Sequence, residues 1–146
     1  MGAGGIRPGR DRLGNRTGVR TGLIMIDRID HVVLTVRDIE AAVAFYTRVL
    51  GVEAVTFAGG RRALAFGQQK INLQTLGQEQ RNHACIGSGD LCLITTRSVE
   101  EVQQKLSDEG VEVVEGPVAK SGALGPITSV YFNDPDGNLI EVSRYD

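Results

Sequence analysis

The chain has 146 residues, enough for one domain or two small modules, and 41% of them are hydrophobic, as in an ordinary globular protein. Its net charge of −2 is uneven: residues 1–24 carry five Arg and one Asp, or +4, so the remainder carries −6. An acidic body does not suggest nucleic acid, no apolar run reaches the roughly 20 residues of a membrane helix, and two cysteines are too few for a disulfide framework, which points to a reducing, cytoplasmic setting.

Residues 1–24 are rich in Gly and Arg and lack hydrophobic periodicity, so a disordered tail is expected there. It has no signal-peptide apolar region, and Met25 is a candidate natural start. Residues 28–36 read as a strand rich in Val and Ile. Asp38 suits a helix N-cap, because its carboxylate can accept a free amide of the first turn. Ile39, Ala42, Val43, Tyr46, Val49 and Leu50 recur at helical spacing, Phe45 widens the stripe, and Gly51 suits the C-terminal cap. Three strands follow over residues 52–57, 61–66 and 70–75, with turns at Gly59-Gly60 and Gly67-Gln68-Gln69. The unit is βαβββ.

Residues 78–89 read as a linker, with His83 and Cys85 only a weak hint of metal. A strand is expected over residues 90–95, with Cys92 as a small core residue. Ser98-Val99-Glu100-Glu101 reads as a capping box; Val99, Val102 and Leu106 form the helix stripe and Gly110 closes it. A strand is expected over residues 111–115. The Gly-rich stretch 116–125, with Lys120, reads as a mobile connection or as a loop closing on an anionic group, and Arg61 and Arg62 are equally plausible surface charges. Two final strands, over residues 128–132 and 139–142, flank Asp134-Pro135-Asp136-Gly137-Asn138, a tight turn.

Asp38 and Ser98 are 60 residues apart and Gly51 and Gly110 are 59 apart, which marks an internal duplication. The expected fold is therefore α+β, with paired βαβββ modules (about 26–75 and 90–145 of one domain, 25–146) forming a curved, cupped mixed sheet. Inward-pointing polar residues in such a cup suit a small ligand. Glu141 alternates with Ile140 and Val142, so it faces away from them. A carboxylate central in a strand needs a cation or metal, unless the strand is an edge and the carboxylate meets water.

The stretch 134–142, DPDGNLIEV, resembles the closing hairpin of the vicinal oxygen chelate family, the glyoxalase, bleomycin-resistance and extradiol dioxygenase group. Residues 29–36, IDHVVLTV, resemble its opening strand. The resemblance covers about residues 26–145, and the subgroup it resembles most is the glyoxalase-domain-containing-5 type with glyoxalase-like virulence proteins. It implies a divalent ion (Ni, Zn, Mn or Fe) held by His31 and Glu141. Many relatives carry His where this chain has Asp90. Asn72 stands where typical glyoxalase I enzymes have Glu, and Gln74 where the subgroup tends to have His. The plainer alternatives are a hydrogen-bonded His31, a solvent-facing Asp90, and Asn72 and Gln74 bonded within the cup.

The resemblance implies a glyoxalase-I-like lyase that isomerises a hemithioacetal, such as methylglyoxal–glutathione, to a thioester, with Glu141 as the base. A metal-free binding or resistance protein is the alternative. A ring-cleaving dioxygenase fits less well, because that chemistry wants two His and one carboxylate on iron. A homodimer is expected from the resemblance alone.

Overall fold

The computed structural model describes residues 24–146; the expected tail lies, up to residue 23, outside the described residues. The order is β1 (His31–Thr35), α1 (Ile39–Leu50), β2 (Glu53–Phe57), β3 (Arg61–Phe66), β4 (Gln69–Gln74), β5 (Asp90–Ile94), α2 (Val99–Asp108), β6 (Glu115–Gly122), β7 (Gly125–Asn133) and β8 (Leu139–Tyr145). The strands form two four-stranded mixed sheets, β1-β4-β3-β2 and β5-β8-β7-β6. In each, the first strand runs parallel to the last, because a helix crosses between them, and the hairpin strands are antiparallel. This is the α+β architecture of paired βαβββ units.

Local chemistry sets the helix ends. The Asp38 carboxylate accepts the Ala41 amide at 3.0 Å, and Gly51 sits at φ 67°, where its N–H donates to the Thr47 carbonyl. Ser98 Oγ accepts the Glu101 amide at 3.1 Å, but the Glu101 carboxylate lies 3.7 Å from Arg97 instead of closing the capping box. The second helix is capped by Glu109, with Gly110 one residue beyond at φ 69°.

One core joins the two units. α1 buries Ala42, Val43, Phe45, Tyr46 and Val49 against Leu34, Leu64, Ile71 and Leu73, while Leu106 of α2 joins Val130, Phe132, Ile140 and Val142. Phe45 meets Phe132 of the other unit at 6.3 Å between ring centroids. Each such buried side chain contributes about 1.5–3 kcal/mol. The β7–β8 turn fastens the units further. Asp134, 5% exposed, accepts the Tyr46 hydroxyl at 2.6 Å, the amides of Asp136 and Asn138, and Asn138 Nδ2. Arg37 donates its backbone amide and its guanidinium to Asp136, and Gly89 donates to Asn138 Oδ1.

Three expectations are corrected. Residues 111–114 are not a strand; the third strand of the second unit is β6, which begins at Glu115. The Gly-rich stretch is therefore mostly strand and not a loop: Val118–Gly122 pairs with β7 through a two-residue turn at Ala123-Leu124. Cys92 is not a core residue. Leu91 and Leu93 pack against the core, so Cys92 faces the other way and is exposed.

Candidate ligand and metal site

Each sheet has one face on the core and one polar face. On the first sheet, His31, Val33 and Thr35 of β1 stand beside Lys70, Asn72 and Gln74 of β4, with Ala63 next to Asn72. On the second, Asp90, Cys92 and Ile94 of β5 stand beside Leu139, Glu141 and Ser143 of β8, with Tyr131 next to Glu141. The registers match position for position. His31 corresponds to Asp90, Asn72 to Glu141 and Gln74 to Ser143, so the duplication extends to the candidate donors.

Glu141 is on β8, an interior strand, so it is not the water-facing carboxylate of an edge. Its Oε2 accepts Ser129 Oγ at 2.5 Å, and Ser143 Oγ, 2.7 Å from Ser129 Oγ and 3.2 Å from Oε2, has one proton to share between the two. Both serines are fully buried. Cys92 Sγ lies 3.3 Å from Ser143 Oγ. Cys92 is exposed as a residue, but the partial loss of water around its thiol pushes it up; the bond with Ser143 pulls it back, and its contact with Glu141 and the Asp90 charge add to the rise. Burial also pushes the Tyr131 phenol up to about 12, aided by its hydrogen bond with Glu141 and that residue's charge. A thiolate or phenolate at neutral pH is therefore disfavoured beside this carboxylate.

On the other sheet, His31 Nδ1 is 2.8 Å from Asp30 Oδ1. The imidazole holds the Asp30 carboxyl below its ordinary range, and the pair leaves Nε2 of His31 available. Gln74 Nε2 donates to Thr35 Oγ1 at 2.9 Å, so Gln74 is committed within the sheet. Asn72 is 3% exposed, and its Oδ1 has no hydrogen-bond partner. A buried carbonyl oxygen without a donor is costly, so this atom has an unmet need that a cation or a donor would satisfy.

His31, Asn72 and Gln74 thus share one face, and Asp90 and Glu141 share the other. Among the described residues no three His, Cys, Asp or Glu side chains gather closely enough in one chain to hold a metal ion. The donor chemistry fits a divalent ion, with one imidazole, two carboxylates and an unpartnered amide oxygen, but as two half-sets. Sequence reasoning missed Ser129 and Ser143. The alternation of Ser143 with Glu141 is legible along β8, but the approach of Ser129 from the neighbouring strand β7 is not. A hollow of about 800 Å³ lies between Val49–Val52, Phe66, Leu93 and α2, with Cys92 also lining it.

No helix among the described residues is long and apolar enough to cross a membrane. The family profile described as Glyoxalase/Bleomycin resistance protein/Dioxygenase superfamily matches residues 28–142. Virulence protein STM3117 of Salmonella typhimurium is 50% identical over 125 residues, which span 84% of this chain and 87% of that protein. Its crystal structure superposes with a TM-score of 0.80, covering 84% of this chain and 100% of that one at 48% identity. Glyoxalase domain-containing protein RDO1 of Mycosarcoma maydis is 44% identical over 144 residues, 97% of this chain and 77% of that protein. Lactoylglutathione lyase from Agrobacterium tumefaciens is more distant, with 26% identity, a TM-score of 0.66 and coverage of 82% of this chain and 94% of that one. The chain belongs to the glyoxalase/bleomycin resistance protein/dioxygenase superfamily, the vicinal oxygen chelate family of its opening and closing strands.

Proposed function

We propose that the chain is a metal-dependent, glyoxalase-I-like lyase acting in the cytosol on a small substrate with two adjacent oxygens, such as a hemithioacetal of a 2-oxoaldehyde. The observation that carries this is Glu141. Its carboxylate stands on an interior strand, and two buried serines hold one oxygen, Oε2. Such a fixed carboxylate suits a base that removes a proton from one carbon and returns it to the next. Similarity to the lactoylglutathione lyase supports the same reaction class.

His31, Asp90, Glu141 and Asn72 would hold the ion, with Gln74 in reserve behind Thr35. A bound divalent ion would polarise both substrate oxygens. Because the half-sets stand on separate sheets, we propose that two copies of the chain bring them together, the first-sheet face of one meeting the second-sheet face of the other. The first strand of each sheet, β1 and β5, is an edge with one side unpaired by any strand. A two-fold pair would then carry two equivalent sites.

The test is the metal content of the purified full chain, followed by thioester formation from methylglyoxal–glutathione. Near-stoichiometric metal, thioester product and loss of both in Glu141→Ala support the proposal. The second reading is a metal-free binding protein, favoured by the neutral Asn72 and the divided donors. No metal uptake from added Ni²⁺, Zn²⁺ or Mn²⁺ would establish that reading and remove the lyase.

A further inference from the structure

Of the 16 Lys and Arg, five precede residue 24, which leaves eleven among the described residues. Seven of these pair with carboxylates. Among the described residues Arg61, Lys70, Lys120 and Arg144 form no ion pair. Arg144 projects from the core-side register of β8. The other three stand on the two polar faces, and each lies over an aromatic ring.

Arg61 and Lys70 share one ring. The Lys70 ammonium is 3.5 Å from the Phe57 centroid and the Arg61 guanidinium carbon is 5.0 Å from it. The intervening register positions on β3 are Ala63 and Ala65, small side chains that leave Lys70 a path along the face. The ring attracts each cation weakly. It does not remove the repulsion between two like charges at one place. The charge of Lys70 also helps to lower the Asp30 carboxyl, but where seven of the eleven cations meet a carboxylate, Arg61 and Lys70 meet one and the same ring. Such a pair is a preformed receptor for an oxyanion. Its position is specific: Lys70 is in register with His31, and Asn72, with its unpartnered Oδ1, is two residues farther along the same face.

We propose that Arg61 and Lys70, seated on Phe57, form a binding subsite for the anionic group of the ligand, a carboxylate or a phosphonate-type oxyanion. The inference rests on the reading above only in taking these faces as the ligand site. It narrows the substrate to an anion whose charged end lies beyond His31, with its reacting end toward Glu141.

The test uses the full chain without added metal, at low ionic strength, where exposed charges are least screened. Propanoate and ethylphosphonate are titrated separately while backbone amide shifts of Phe57, Arg61 and Lys70 are followed by NMR. Saturable shifts at these three residues are expected, with affinity about tenfold or more weaker in Arg61→Gln/Lys70→Gln and an intermediate loss in Lys70→Gln alone. Response to propanoate alone assigns a carboxylate, response to ethylphosphonate alone a phosphonate or phosphate, and response to both shows that charge is read without geometry. No saturable shift with either anion, or equal affinity in the double variant, overturns the proposal. So does a double variant that loses self-association while the wild type takes up neither anion, which would assign the pair to a chain–chain contact. Since no metal is present, failure of the lyase assay leaves this result standing, and the reverse also holds.

Discussion

Tyr46→Phe isolates the bond that fastens the Glu141 hairpin to the first unit. The substitution removes one oxygen and keeps the ring, so packing against Phe45 at 5.3 Å between centroids is retained. Asp134 then keeps three of its four donors, the Asp136 amide at 2.9 Å, the Asn138 amide at 2.9 Å and Asn138 Nδ2 at 2.8 Å, and loses the shortest, at 2.6 Å. A hydrogen bond to a charged group contributes about 1.5–3 kcal/mol, and the buried carboxylate has no water to replace it. For a domain of this size that is a fall in Tm of roughly 5–10 °C. The assay is urea unfolding and thermal melting of both proteins at neutral pH. The same bond has an alkaline signature. Burial, then the bond and charge of Asp134, raise the Tyr46 phenol above its ordinary value. Its stabilisation is complete below the unfolded value of about 10 and declines above it, because the unfolded chain then releases a proton that the folded chain keeps. Tyr46→Phe should therefore lose stability at pH 7 and show a shallower decline above pH 10, to the extent that Tyr46 causes it. An unchanged Tm, with an unchanged alkaline slope, would refute the bond's role.

Other outcomes follow from the site. Tyr131→Phe should remove a phenol that titrates near 12 from the ultraviolet alkaline titration; a missing component near 10 instead would contradict its contact with Glu141. Gly116→Ala should destabilise by about 2–3 kcal/mol in urea unfolding, since an added Cβ would stand 2.4 Å from the Ser129 carbonyl at φ +115°; wild-type stability would contradict that close approach. Ser129→Ala and Ser143→Ala should each weaken metal uptake by about tenfold, read by competition with a chelator, because each leaves Oε2 of Glu141 with one support fewer; unchanged uptake would remove the serines from the site.

The first unit was legible where local signals agreed. Asp38, the apolar stripe and Gly51 delimit α1, and β3 begins and ends where the turns at Gly59-Gly60 and Gly67 place it. β6 was hidden because Gly116, Pro117 and Gly122 argue against a strand. It tolerates them as the outer strand of its sheet, with Pro117 inside a register shift between Glu115 and Val118. Cys92 was misread through its composition: a thiol between two leucines suggests core, whereas alternation alone turns it outward. For the site, alternation gave the face of Glu141. The partners on that face come from strands far apart in sequence, and no local signal carried Ser129 to Glu141 or Tyr46 to Asp134. Whether His31 and Glu141 share an ion depends on how two faces meet, which no run of residues encodes.

A mixing experiment on metal content tests that meeting most directly. His31→Ala and Glu141→Ala are purified separately, each exposed to Ni²⁺, then unfolded together, refolded and exposed again. If the site is shared between two copies, each variant alone takes up no metal, yet a mixed pair contains one intact His31 facing one intact Glu141. Random pairing then restores roughly a quarter of the wild-type metal, because half of the pairs are mixed and each has one good site of two. No metal in the mixture, beside a wild type that binds it, would contradict a shared site and confine the donors to a single chain.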